Sequence, residues 1–136
     1  KYTTFKLLIM SRLSKLVSHR VVKNSWIKML SKHNYNYIAT IQKPMKNPYK
    51  FESNLRRLSE CEQIERMFYS VERNSVSGYH IHLMLKAHRT HKRDVAYVTN
   101  LSQSDIPYFE KIEHNYKVAS YVTKYMKGDQ LHYNFY

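Results

Sequence analysis

Two residue runs flanking a short turn constrain this chain more than any other feature. Residues 67–73 and 79–86 are rich in apolar, β-branched and aromatic side chains, and 74–78 (Asn-Ser-Val-Ser-Gly) separates them. Runs of this kind around a glycine-containing turn predict a β-hairpin. Successive side chains on a strand point to opposite faces, so the hairpin sorts its residues into two sets. Met67, Tyr69, Val71, Ile81, Leu83 and Leu85 share one face and read as core. Phe68, Ser70, Glu72, His80, His82 and Met84 share the other. Symmetry about Val76 places Glu72 directly opposite His80. Directly opposed Cβ atoms lie about 4.5–5.5 Å apart. Two imidazoles and a carboxylate are therefore expected on an open, polar face of a sheet.

That trio suits a divalent cation with coordination positions left for water or phosphate oxygens. Imidazole ligands widen the choice from Mg²⁺ towards Mn²⁺ and other transition metals. The competing explanation is two half-exposed strand histidines beside a chance glutamate. With eight histidines in the chain, a bare His-x-His carries little weight, and the opposed Glu72 is what strengthens it. His88 and His91 form a second spaced pair, but no carboxylate accompanies them at ligand spacing. They are read as surface or DNA-facing residues. The single cysteine, Cys61, excludes an internal disulfide framework and a multi-cysteine zinc site, and fits a reducing, intracellular compartment.

The remaining elements predict the fold. A chain of 136 residues is the size of one domain. Apolar residues at 43% and aromatics at 14% exclude disorder. The longest apolar run, 7–10, is far short of the ~20 residues of a membrane span. Over 3–22, Phe5, Leu8, Ile9, Leu13, Leu16, Val17 and Val21 recur at helical spacing with Lys and Arg between them. This predicts a helix packed on the domain, with a membrane-surface helix or transit peptide as alternatives. Asn24 or Ser25 is expected to cap a second short helix through Trp26, Met29 and Leu30. Then follow a strand over 35–42, a basic loop at Lys43-Pro44 and Asn47-Pro48, and a helix over 53–65. That helix carries its stripe on Leu55, Leu58, Cys61 (or Glu62) and Ile64. After the hairpin come a helix over 92–101, a strand over 107–112, a helix over 115–127 ended by Gly128, and a strand over 130–136. The expectation is an α+β domain: a five-stranded antiparallel sheet with helices packed on it and extra N-terminal helices. Residues 1–33 would form the helical extension and 34–136 the core of a single domain.

Charge adds a partner. Lys and Arg number 23 against 10 Asp and Glu, a formal net charge of +13. A polyanion, most often nucleic acid, is the simplest explanation, with a basic surface kept for solubility as the alternative. A second chemical motif lies in the last helix, Tyr121-Val-Thr-Lys124-Tyr125. Val118, Ala119, Val122 and Met126 make an apolar stripe. Tyr121, Lys124 and Lys117 are expected on the opposite side, with Tyr125 between. A phenol of pKa ~10 is a poor nucleophile near neutrality. A neighbouring cation, or a metal-activated phosphate opposite it, makes attack easier. With 13 tyrosines in the chain, this motif alone is weak.

Taken in order, the two constellations resemble the HUH endonuclease superfamily, and within it the rolling-circle replication initiators. That family's His-hydrophobic-His motif is matched by His80-Ile81-His82. Its acidic ligand on the preceding strand is matched by Glu72, and its Tyr-x-x-Lys helix by Tyr121-Val-Thr-Lys124. Tyr37-Ile-Ala-Thr-Ile41 is a loose counterpart of its first motif. The resemblance covers roughly 35–127. It implies a ferredoxin-like, five-stranded sheet with both histidines on a central strand. Two-tyrosine members repeat the helix motif, and here Tyr125 stands in the second tyrosine's place while Gly128 interrupts the repeat. No Gly-rich phosphate loop is present, so no helicase domain is expected.

The resemblance implies a nickase and strand-joiner acting on single-stranded DNA or an origin hairpin. Glu72, His80 and His82 would hold Mg²⁺ or Mn²⁺ at the scissile phosphate. Tyr121 would attack and become linked to the 5′ phosphate, with Lys124 favouring the phenolate and Tyr125 as a second candidate. DNA would run along Thr40, Lys43, Lys46, Lys50, Arg56, Arg57, Lys86, Arg89, Lys92, Arg93 and Lys117. Host or viral replication proteins are expected partners, no membrane is, and a dimer is compatible. The cytoplasm of a prokaryotic host is the expected location, ahead of a eukaryotic nucleus. The chain begins at Lys1, as a processed product or fragment would. A relaxase is disfavoured because its tyrosine precedes the His motif. A single-domain transposase of the superfamily, which would carry Gln where Tyr125 stands, is kept as one alternative. From another class, a non-catalytic basic nucleic-acid binder remains as an alternative.

Overall fold

The computed structural model describes residues 19–44, 47–74, 78–114, 116–126 and 130–136. Its helices are α1 (His19–Ser31), α2 (Glu52–Ser59), α3 (Lys92–Val98) and α4 (Tyr116–Tyr125). Its strands are β1 (Tyr37–Gln42), β2 (Ile64–Asn74), β3 (Gly78–Ala87), β4 (Tyr108–Lys111) and β5 (Gln130–Phe135). The strands form one open antiparallel sheet in the order β4-β1-β3-β2-β5, with the four helices packed against it. This is the α+β fold with the five-stranded sheet expected from the sequence, and β3, which carries both histidines, is central. No helix among the described residues is long and apolar enough to cross a membrane.

The hairpin register is as predicted. Glu72 pairs with His80, Arg73 with Tyr79, and Asn74 with Gly78. The parity also holds. Ile81, Leu83 and Leu85 join Met67, Tyr69 and Val71 in one core cluster, completed by Leu55 and Leu58 of α2 and Val95 and Ala96 of α3. Removing these side chains from water stabilises the fold by roughly 1.5–3 kcal/mol for each large aliphatic group.

The second face differs from its expected openness. Phe68 and Met84 lie in another buried cluster with Trp26, Met29 and Leu30 of α1, and Val118, Tyr121 and Val122 of α4. The sheet is thus covered on both sides: α2 and α3 on the leucine face, α1 and α4 on the histidine face. Trp26 meets Phe68 with ring centroids 5.6 Å apart, which ties α1 directly to the sheet.

Several boundaries differ from the sequence expectations. Asn24 and Ser25 are interior to α1, because the helix already runs from His19. Most of the helix expected over 3–22 lies outside the described residues, as do Val76, Lys46 and Gly128. Helix α2 stops at Ser59, six residues short of expectation, since Ile64 is recruited to pair with Ala87. Two consecutive turns make the change: the Cys61 amide donates to the Leu58 carbonyl and the Ile64 amide to the Cys61 carbonyl. The helices expected over 92–101 and 115–127 are shorter at Lys92–Val98 and Tyr116–Tyr125.

Candidate active site

The site forms on the histidine face, where the helices leave the end of the sheet uncovered. Antiparallel pairing aligns Thr40 of β1, His82 of β3 and Ser70 of β2 across the sheet. One step along the same face, Gln42, His80 and Glu72 align in the same way. A cleft of about 450 Å³ opens over these two rows. It is lined by Thr40, Gln42, Glu72, His80 and His82 from the strands, by Pro107 and Tyr108, and by Lys124 and Tyr125 from α4.

Its floor is polar yet buried. His82 has no accessible surface, and Glu72 retains only 6%. The Glu72 carboxylate accepts a hydrogen bond from the Gln130 side-chain amide at 2.7 Å, and Ser70 donates to the Gln130 carbonyl at 2.6 Å. Gln130 is therefore oriented at both ends, and it in turn fixes Glu72. A bulge between Val71 and Glu72 shifts β5 so that Gln130 sits opposite Glu72. Sequence inspection missed this residue, since a strand pattern marks which face a glutamine takes but not its neighbour.

His82 Nε2 is the atom that tests whether a cation suits the site. It is buried, has no hydrogen-bond partner, and lies 3.4 Å from Glu72 Oε2. Buried polar atoms are ordinarily satisfied, so an orphan facing a carboxylate needs a cause. A divalent ion between an imidazole nitrogen and a carboxylate oxygen supplies one, and the donor set fits such an ion. His80 stands at the cleft wall with its ring perpendicular to that of His82, centroids 6.4 Å apart. Among the described residues, no three His, Cys, Asp or Glu side chains converge on one point as they stand. Burial, and then the neighbouring His82, hold His80 below the ordinary histidine pKa against the opposing pull of Glu72. A neutral imidazole is the form that binds a metal.

Of the α4 tyrosines named from the sequence, Tyr121 is placed contrary to the helix-face expectation. Tyr121 packs with the apolar stripe and keeps only 2% of its surface. Its hydroxyl lies 2.9 Å from the Ala39 carbonyl oxygen, 2.5 Å from Thr40 Oγ1 and 2.9 Å from His82 Nδ1. Burial raises its pKa well above the ordinary phenol value. It does not line this cleft, although its side chain contributes to the wall of a smaller adjoining one with Lys117, Lys124 and Tyr125. Tyr125 lines the larger cleft, and it is 38% exposed. Tyr108, which the sequence placed in the strand over 107–112 without a role at the site, stacks at a tilt against both, with centroids 5.5 Å from Tyr121 and 4.9 Å from Tyr125. The Tyr108 hydroxyl donates to Glu110, whose carboxylate is paired with Lys117 and held below the usual carboxylate range by that ammonium.

The basic residues named from the sequence are distributed widely. Of the expected DNA contacts, only Thr40 lines the cleft, and its hydroxyl is engaged with Tyr121. Lys117 lines a smaller adjoining cleft with Lys124 and Tyr125, but is tied to Glu110. Lys124 is exposed at the rim of both clefts. Arg56 and Arg57 belong to α2, and Lys92 and Arg93 to α3, across the sheet from the site. Arg89, like His88 and His91, is exposed, while Lys43 and Lys86 are half-buried. A charge tally along a sequence has no means of separating the two layers.

Comparison with known proteins finds no matching family model, no matching curated protein and no matching solved structure.

Proposed function

We propose that this chain is a metal-dependent endonuclease that nicks and rejoins single-stranded DNA through a phosphotyrosine, as rolling-circle replication initiators of the HUH superfamily do. The observation that carries the proposal is the cleft itself. It gathers His80, His82 and Glu72 on a central strand pair and faces them with Lys124 and a tyrosine of α4. The net charge of +13 supports a polyanionic substrate.

In this proposal Glu72, His80 and His82 hold a divalent cation. Bound there, the cation supplies the positive charge that neutralises the phosphate and the departing 3′ oxygen. The chain's residues do the rest. Gln130 and Ser70 keep Glu72 aimed at the cleft. Lys124 meets the DNA backbone at the rim. A tyrosine of α4 forms the bond to phosphorus as the bond to the 3′ oxygen breaks. The phenolic proton leaves to water and the 3′ oxygen takes one up. One phosphoester replaces another, so a 3′-OH can reverse the step without ATP.

The test is incubation with Mn²⁺ and a randomised single-stranded DNA library, read as a covalent protein–DNA band on a denaturing gel. The band should appear with Mn²⁺, vanish with chelator and vanish in His82→Ala. Affinity for the same DNA should fall steeply with salt, by ~10³–10⁵ between 50 and 200 mM if six to ten phosphates are contacted. Binding that is salt-sensitive but never covalent would instead establish a non-catalytic nucleic-acid binder.

A further inference from the structure

Resting on the endonuclease function above, we infer that Tyr121 and Tyr125 of α4 have separate tasks. Tyr125 is the catalytic residue that joins the DNA. Tyr121 is a positioning residue that fixes His82 as its Nδ1–H tautomer, so that Nε2 faces the cleft as a bare lone pair.

The hydrogen-bond count at Tyr121 carries the second half. A phenol has one proton to donate and two lone pairs to accept with. Three groups surround its oxygen: the Ala39 carbonyl at 2.9 Å, Thr40 Oγ1 at 2.5 Å and His82 Nδ1 at 2.9 Å. The carbonyl can only accept, so it takes the phenolic proton. The other two must then donate: the hydroxyl of Thr40 and the N–H at Nδ1 of His82. All three contacts are satisfied in this arrangement, and no other assignment of the single proton satisfies them all. With the proton on Nδ1, a neutral His82 has none on Nε2. That agrees with the second, separate observation that Nε2 makes no hydrogen bond, although Glu72 Oε2 lies 3.4 Å away. Were Nε2 protonated and well aimed, that carboxylate would accept from it. Outer groups that set the tautomer of a metal-binding histidine act in this way.

Access carries the first half. The Tyr121 oxygen is enclosed by these three partners on a side chain with 2% of its surface exposed, and it lies at the Nδ1 side of His82, away from the bare nitrogen. Tyr125, one turn later, walls the cleft beside Lys124 with 38% exposed. The step is a transesterification. The Tyr125 oxygen bonds to phosphorus, the bond to the 3′ oxygen breaks, the phenolic proton passes to water, and the 3′ oxygen is protonated from water.

The experiment exploits Lys124, which stands between the two tyrosines, so trypsin places them on different peptides, residues 118–124 and 125–127. The adduct formed with Mn²⁺ and the randomised single-stranded library should map to 125–127. Tyr125→Phe should form none. Tyr121→Phe should still link DNA to 125–127, but its Mn²⁺ affinity by calorimetry should drop ~10–100-fold. Long-range ¹H–¹⁵N correlation on the metal-free protein should show His82 as Nδ1–H, and a shift towards Nε2–H in Tyr121→Phe. DNA found on 118–124, or an adduct surviving in Tyr125→Phe, overturns the nucleophile assignment and leaves the endonuclease standing. No adduct in any variant removes both together. An Nε2–H tautomer in the unaltered protein overturns the positioning role by itself, whatever the DNA does.

Discussion

The two faces of the sheet are built from the same strands yet solve burial differently. On the leucine face, Ile81, Leu83 and Leu85 meet α2 and α3 through apolar contacts throughout the buried cluster. On the histidine face, α1 and α4 close over Phe68 and Met84, but Thr40, Ser70, Glu72, His82 and Gln130 are buried there too. Only two other described polar side chains, Thr90 and Thr99, are as buried. Burying polar groups costs free energy unless each is satisfied, and burying charge costs more. The difference marks the histidine face as the place of the candidate site, since buried polar groups there replace apolar packing.

Substitutions should therefore fail in different ways on the two faces. The largest effect is expected from Leu83→Ala. Leu83 is fully buried on the leucine face. Its truncation should lower unfolding free energy by about 2–5 kcal/mol in a urea titration. For a domain holding ~5–15 kcal/mol in all, that is a large share. A smaller, different effect is expected from Gln130→Ala on the histidine face. It removes one hydrogen-bond partner from the buried Glu72 carboxylate and one from the Ser70 hydroxyl, a loss of about 1–3 kcal/mol. Its distinctive readout is Mn²⁺ affinity, expected to fall ~10–100-fold. Leu83→Ala, measured below its unfolding transition, should bind Mn²⁺ as the parent does. If both variants lost stability equally and neither changed metal binding, the contrast between the faces would collapse.

How much of this could be read beforehand follows from what each signal encodes. The period of two fixes which strand residues share a face. Turn symmetry fixes the register, so Glu72 could be set opposite His80 and the five strands counted. Neither signal says what lies above a face. The expectation of an open face around His82 failed because α1 and α4 cover it, and that is a matter of tertiary packing. The placement of Tyr121 failed for a related reason. On a helical wheel a phenol looks polar, yet its ring packs as an apolar body provided the hydroxyl finds partners. Thr40, Ala39 and His82 provide them from strands far away in sequence. Gln130 was invisible because its role depends on a bulge that shifts β5 relative to Glu72.

The smallest expected effect concerns pH and again separates the faces. His33 follows α1, beside the histidine face, with its ring 5.6 Å from Tyr35 and 5.5 Å from Phe135. Burial, and then the positive charges of Arg66 and Lys32, lower its pKa from the ordinary 6.5. Well above pH 6.5 the imidazole is neutral whether the chain is folded or not, and stability is unaffected. As pH falls through 6.5 the unfolded chain takes up a proton that the folded chain resists. Stability therefore declines from there until the lower, folded-state pKa is passed. The His33 ring protons should titrate with a midpoint below 6.5 in NMR. The urea midpoint of the parent should drop between pH 7.5 and 5.5, and His33→Gln should reduce that drop. A His33 midpoint above 6.5 would mean that its cationic form is favoured by folding, and would remove it from the cost of the histidine face.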